Sequence, residues 1–271
     1  MRVALYMCAG SGKRAIYLAD AMRQGLLEHG IKSERYNRFK DVCADVAIAY
    51  GWSHREIFKQ YKEAGAQFAY FDLGYWNRRP PTMPMDGHYR LAMNDWDTAT
   101  NMPRGVPDDR LKTLEAELKP RQKGRDIVIA CMSIKAVRIH GYDFREWENG
   151  VKKQVEQWGL NHPVVLRDKP NKKTKPMPAI ADVLKTAHML ITHHSNAAID
   201  AIVNGVPVYA KKGVGSLVSP AELTKESIET PYFPSDADRK AFLADVAYAQ
   251  WQPEEMRSGK AWDFMRAHLC A

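Results

Sequence analysis

Short apolar runs alternate with longer segments whose apolar positions recur at helical spacing. Residues 3–6 predict a first strand. Residues 15–28 predict a helix through Ile16, Leu18, Ala19, Met22, Leu26 and Leu27, closed by His29-Gly30. Strands are expected at 31–36, 46–50 and 68–71. Ser53, with Glu56 completing a capping box, starts a helix running to about residue 64. Residues 72–110 are loop-rich, 111–118 helical, and 120–125 (PRQKGR) a basic linker. A second series then begins: a strand at 127–130, a helix near 147–158, a strand at 164–167, a helical stretch at 182–188 and an apolar run at 189–191. That run stops at the polar turn Thr192-His193-His194-Ser195-Asn196. A small-residue helix (197–204), Gly205 and a strand opening at Val206-Pro207 follow. Pro253 suits a helix start, and Ser258-Gly259 breaks the chain before a last helix at 261–269. The alternation predicts an α/β fold with two Rossmann-like halves and parallel sheets, divided as 1–120 and 121–271.

Composition narrows the class without naming a reaction. At 271 residues, 45% hydrophobic and 27% charged, the chain can bury a globular core. No apolar run reaches transmembrane length, and residues 1–6 lead into a glycine turn with no signal-peptide pattern, so a cytoplasmic location is expected. Cys8, Cys43, Cys131 and Cys270 lie far apart with no CxxC pair, which fits free thiols in a reducing compartment. The net charge of +8 favours an anionic partner: a nucleotide-sugar, nucleic acid or an anionic membrane.

Two turns carry candidate chemistry. The polar turn at 192–196 falls between a strand's C-terminal end and a helix start, where backbone N–H groups attract phosphate. Ser195 and Asn196 suit it either as helix caps or as phosphate donors. The doubled His193-His194 strengthens the functional reading, because two imidazoles at a strand end are costly unless solvated or bonded. The first turn, Cys8-Ala9-Gly10-Ser11-Gly12-Lys13-Arg14, also joins a strand to a helix, and its backbone can cradle phosphate or form a plain tight turn. It is not a Walker A loop: Met7 stands at the first glycine place and Arg14 follows Lys13. It is not GxGxxG either, since Ala15 takes the third glycine place.

The order Ser195, four residues, Asp200-Ala201, three residues, Gly205-Val206-Pro207 resembles the donor-site motif of glycosyltransferases with two Rossmann-like domains, the GT-B fold. Residues 182–188 are similar to the helix leading into that motif. Asp200 replaces the commoner Glu, and His188 stands where an Asp often follows Ala. The resemblance implies transfer from a nucleotide-sugar, UDP-linked, used as co-substrate with no further cofactor and no metal. It implies an acceptor-binding first domain, a donor-binding second domain and terminal helices that return toward the first.

On that reading the donor residues are Gly10, Ser11, Gly12, Lys13, His193, His194, Ser195, Asn196 and Asp200. Lys135, Arg138, Arg167 and Lys169 follow strand ends and are candidates to neutralise the leaving diphosphate. The general base is expected in the first half: Asp72 at a strand end, with His88 and Asp95 as competitors, although each also suits a turn or surface role. Asp95-Trp96-Asp97 resembles the DxD metal motif of the other large glycosyltransferase fold, in a setting that does not support it. A short, basic chain of this kind is similar to viral enzymes that glycosylate hydroxymethylated pyrimidines in DNA. Duplex DNA is therefore the expected acceptor, with Lys172, Lys173 and Lys175 on phosphates and Tyr75, Trp76 and Trp96 beside a displaced base. Cell-surface glycan synthesis is the alternative, and a non-catalytic nucleotide- or nucleic-acid-binding protein a third.

Overall fold

The computed structural model describes residues 1–6, 12–39, 41–51, 55–78, 83–114, 117–133, 142–169 and 178–269. The chain divides into two compact units, Met1–Pro103 with Asp245–Ala271, and Arg104–Ala244.

The first unit is built on a six-stranded sheet. Strands β1 (Val3–Tyr6), β2 (Ser33–Tyr36), β3 (Val46–Tyr50) and β4 (Gln67–Leu73) are parallel, in the order β2-β1-β3-β4. β5 (Tyr89–Met93) pairs antiparallel with β4, and β10 (Gln250–Trp251) antiparallel with β5. The sheet is therefore mixed, where parallel strands alone were expected. β5 lies inside the stretch expected to be loop; a strand of this length is fixed by its partner, here Tyr89 opposite Leu73, more than by its own sequence. Alternation along the strands sends Val3, Leu5 and Phe71 to one face and Ala4, Tyr6 and Tyr70 to the other. Helix α1 (Lys13–Glu28) covers the first face with Leu18, Met22 and Leu26, helped by Met256, Trp262 and Met265 from the C-terminal helices. Gly25 permits this: a Cβ there would stand 1.9 Å from the Met256 carbonyl oxygen. Helix α2 (Arg55–Glu63) lays Phe58 and Tyr61 on the other face. The expected Ser53 cap lies outside the described residues.

The second unit holds a four-stranded, wholly parallel sheet in the order β7-β6-β8-β9: β6 (Asp126–Ala130), β7 (Val164–Arg167), β8 (Ala187–Thr192) and β9 (Val208–Ala210). The central strands read as unbroken apolar runs because both faces are buried. After α3 (Asp109–Thr113), helix α4 (Phe144–Gln157) supplies Val151 and Val155 to the core of Ile127, Ile129, Met189 and Ile191. Helix α5 (Ile180–Leu184) is shorter than expected, and Ala187 and His188 belong to β8 instead. The His188 ring stacks on His162 with centroids 4.0 Å apart, and burial lowers its pKa. After α6 (Ala197–Val203), Gly205 is left-handed (φ 76°), and a Cβ would fall 2.0 Å from the Pro120 carbonyl oxygen.

Both sheets thus repeat one local order of parallel strands, second-first-third-fourth. In that order the connections from the first and third strands leave toward opposite faces, and the crevice at their C-terminal ends is where α/β sheets bind ligands. It lies after β1 and β3 in the first unit and after β6 and β8 in the second.

Candidate functional site

In the second unit the crevice is organised by Thr192, the last residue of β8. Its buried hydroxyl donates to the Ala130 carbonyl at 3.0 Å, tying β8 to the end of β6, and accepts from the Ser195 N–H at 3.3 Å. The next two residues face one another: His193 Nδ1 and His194 Nδ1 are 2.7 Å apart, so one imidazole donates and the other accepts. Tyr142, Phe144 and Trp147 surround the His193 ring, and Phe144 also meets His194. The two imidazoles are bonded and packed, which accounts for their tolerance at a strand end. Ser195 Oγ accepts from the Ala197 N–H at 3.3 Å and so caps the start of α6, whereas the Asn196 side chain makes no cap bond.

The end of β6 is fixed from below by a residue the sequence reading passed over. Glu148 is 1% exposed, and its carboxylate accepts the Met132 N–H. Arg145, one helical turn before it, pairs with Glu148 Oε2 at 3.5 Å, donates to Cys131 Sγ at 3.4 Å and binds Asp168 after β7. Burial raises the Glu148 pKa against the opposing pull of the Met132 N–H and Arg145, and pushes the Cys131 thiol up to about 12. A signal for Glu148 was present: Phe144, Glu148, Val151 and Val155 form the buried stripe of α4, with one acid among apolar residues.

Arg167, at the end of β7, is half-buried; it donates to the Pro178 carbonyl at 3.2 Å and interacts electrostatically with Asp200. Burial pulls its pKa below the ordinary value while Asp200 opposes the shift. The structure therefore gathers Arg167, His193, His194, Ser195, Asn196 and Asp200 around the strand ends of one sheet. Lys169 is exposed beyond β7. Lys135, Arg138, Lys172, Lys173 and Lys175 lie outside the described residues, as do Gly10 and Ser11. Gly12 and Lys13 begin α1 in the other unit.

In the first unit, the end of β4 and the start of β5 bring a carboxylate, a phenol and a guanidinium together. Asp72, one residue before the end of β4, accepts from the Tyr70 hydroxyl at 2.7 Å and from its own neighbour's N–H, that of Leu73, at 2.8 Å. Arg90, its register partner on β5, lies 3.6 Å away and stacks over the Tyr70 ring at 5.6 Å. Burial raises the Tyr70 pKa, so the phenol keeps the proton it donates to Asp72. The rival bases sit differently. His88 is 6% exposed, and its carbonyl receives the Gly74 N–H. Asp95 accepts the Asp97 N–H at 3.0 Å, and Asp97 accepts that of Ala99, which are turn-forming bonds. Among the described residues, no group of three or more His, Cys, Asp or Glu side chains is placed to hold a metal ion.

Of the aromatic residues expected beside a displaced base, Tyr75 is buried, Trp96 is half-buried and packs edge-on against Phe58 and Tyr70, and Trp76 is half-buried. In the basic linker, Arg125 pairs with Asp126 at 3.3 Å and Arg121 stacks over Phe233. No described helix is long and apolar enough to cross a membrane.

The sequence matches no protein-family model. It matches no curated protein. Among solved structures it is similar to the beta Kdo 2,4 transferase of Thermosulfurimonas dismutans KpsC, at 13% identity and a TM-score of 0.52, over 99% of this chain and 98% of that one. It is also similar to the beta Kdo 2,7 transferase of the same KpsC, at 10% identity and a TM-score of 0.53, over 91% and 90%. At such identities the likeness establishes the fold: α/β, two sheets of parallel-strand type, as in two-domain glycosyltransferases of GT-B type.

Proposed function

We propose that this chain is a glycosyltransferase that moves a sugar from a nucleotide-sugar to a hydroxyl of a growing cell-surface glycan. The observation that carries the reading is the end-to-end match of both units to two Kdo transferases. The chemistry at the strand ends of the two sheets supports it. The second unit's crevice offers what a departing nucleotide phosphate needs: the Arg167 guanidinium, imidazole and hydroxyl donors at His193, His194 and Ser195, and backbone N–H groups at the turn. The end of β4 in the first unit offers Asp72, a carboxylate oriented by Tyr70 and Arg90 and still partly open to solvent.

In a direct displacement, the acceptor oxygen attacks the anomeric carbon as its proton passes to Asp72. The anomeric C–O bond to phosphate breaks, and its electron pair leaves with the nucleotide. Asp72 is preferred to His88, which is buried, and to Asp95, which is engaged in a turn. The resemblance to GT-B enzymes implies a metal-independent reaction, and the reading keeps that.

A DNA acceptor is the second reading, and the net charge of +8 favours it. One experiment separates the readings. The protein is incubated with a mixed nucleotide-sugar pool and either oligosaccharides or duplex DNA containing hydroxymethylated pyrimidine. Mass spectrometry then follows the acceptor masses. A sugar increment on oligosaccharide with matching nucleotide release is expected. An increment on DNA that fades steeply with salt would install the second reading, and no acceptor-dependent release from any donor would leave a binding protein.

A further inference from the structure

Among the described residues of the first unit, two half-buried guanidinium groups have an acid beside them. Arg90 faces Asp72, and Arg257 pairs with Glu254 at 3.2 Å. Arg14 differs. It sits in the first turn of α1, at the same sheet edge as Asp72, and no carboxylate of the described residues lies within ion-pair distance. The undescribed stretches of this unit contain no Asp or Glu side chain. The first turn of α1 carries no acid either.

The surroundings of Arg14 are neutral oxygens. Its Nη2 donates to the Pro84 carbonyl at 3.0 Å, its guanidinium lies over the Tyr89 ring at 6.0 Å, and the Tyr50 and Tyr89 hydroxyls interact with it electrostatically. The Tyr89 hydroxyl donates its own proton to the Met85 carbonyl at 2.8 Å. The two phenol rings meet edge-on at 5.7 Å and hold this geometry. The Arg14 Nε is buried with no hydrogen-bond partner. A guanidinium always carries its charge and offers five donors in a fixed fork. Burying part of one with no counter-charge and one idle donor is costly unless an anion completes it. Arg14, Tyr50 and Tyr17 are each half-buried, so solvent reaches one side of the cluster. Tyr17 extends it: its hydroxyl binds Asp86, which occupies that carboxylate, and Arg257 stacks over its ring at 4.9 Å, adding a second cation.

We propose that Arg14, framed by Tyr50 and Tyr89, is an oxyanion-binding subsite that takes the carboxylate or phosphate of a sugar. The carboxylate and the phosphate share one chemistry, a planar or tetrahedral oxyanion accepting paired N–H bonds. Its role as the subsite for an acidic acceptor sugar rests on the glycosyltransferase reading; the anion binding does not.

The test is calorimetric titration of the whole chain, without donor, against D-glucuronate, glucose 6-phosphate and, as the neutral control, glucose. Wild type should bind one or both acids and not glucose, and the acid that binds tells carboxylate from phosphate. Arg14→Met should weaken that binding at least tenfold. Arg14→Lys, which keeps the charge and loses the fork, should fall between, and Lys32→Gln on the exposed surface should change nothing. Should Arg14→Met fail to fold, Tyr50→Phe carries the test, with a several-fold loss expected. No binding of either acid by wild type, or equal binding by a folded Arg14→Met protein, overturns the proposal. Arg14-dependent binding in a protein that transfers no sugar upholds the subsite and sinks only the transferase reading.

Discussion

At the C-terminal edge of the first unit's sheet, Asp72, Tyr70 and Arg90 interact with one another on one face, while Arg14, Tyr50 and Tyr89 gather on the other. At the equivalent edge of the second unit's sheet, a buried Glu148 holds the end of β6, Thr192 ties it to β8, and two imidazoles face each other among aromatic rings. The four parallel strands follow the same order in both, while β5 and β10 extend the first sheet alone. The first edge keeps a carboxylate half-exposed beside Arg90 on one face, which suits accepting a proton, and Arg14 on the other face, which suits binding an acidic group. The second buries its carboxylate beneath the backbone and presents imidazole, hydroxyl and guanidinium donors, which suits stabilising negative charge. One order of parallel strands thus carries two chemically different edges, and the difference lies in the strand-end residues and in β5, which brings Tyr89 and Arg90 to the first sheet alone.

The sharpest way to break that comparison is Asp72→Asn, which keeps the shape and removes the basic oxygen. Turnover should fall about 10²–10⁴-fold with nucleotide binding intact, measured by nucleotide release and calorimetry. If Asp95→Asn is the inactive variant instead, the base belongs to the later turn. Next comes Gly205→Ala, which strikes the second unit alone. Steric overlap with the Pro120 carbonyl and the left-handed backbone each cost roughly 1–3 kcal/mol, so a large drop in the denaturation midpoint is expected. An unchanged midpoint would contradict the close approach seen there.

Ser195→Ala combined with Asn196→Ala should weaken nucleotide binding by about 1–3 kcal/mol if the turn after β8 bonds phosphate. Unaltered calorimetric affinity in the folded double variant would move the donor elsewhere. The smallest effect is a pH dependence. Burial raises the Glu148 pKa above its unfolded value, so between those values the folded state binds more protons than the unfolded one. Stability should therefore decline as pH rises through that window, beginning in the ordinary glutamate range. Glu148→Gln should flatten the decline. A slope identical in both proteins, read from thermal melts at successive pH values, would show that Glu148 does not titrate differently on folding.

The hydrophobic pattern alone was enough for the class of fold, because a strand's period of two and a helix's period of 3.6 are local properties. Val3–Tyr6, Val46–Tyr50 and Val164–Arg167 stand where that pattern puts them, and so does the strand–turn–helix at Thr192 and Ser195. Gly205 marked the end of α6 for the same reason: a left-handed residue there wants no side chain.

What the pattern could not decide depends on residues far apart in sequence. β5 exists because β4 offers it an edge, and Trp96 packs against the core because Phe58 and Tyr70 meet it. Glu148 is a buried anchor because Met132 and Arg145 meet it. Among the described residues, folding brings Tyr50, Pro84 and Tyr89 to Arg14 and no carboxylate within ion-pair distance. Sequence fixes each residue's chemistry and local shape; which neighbours satisfy or expose that chemistry follows only from tertiary contact, since burial and pairing are properties of the packed chain and not of the residue.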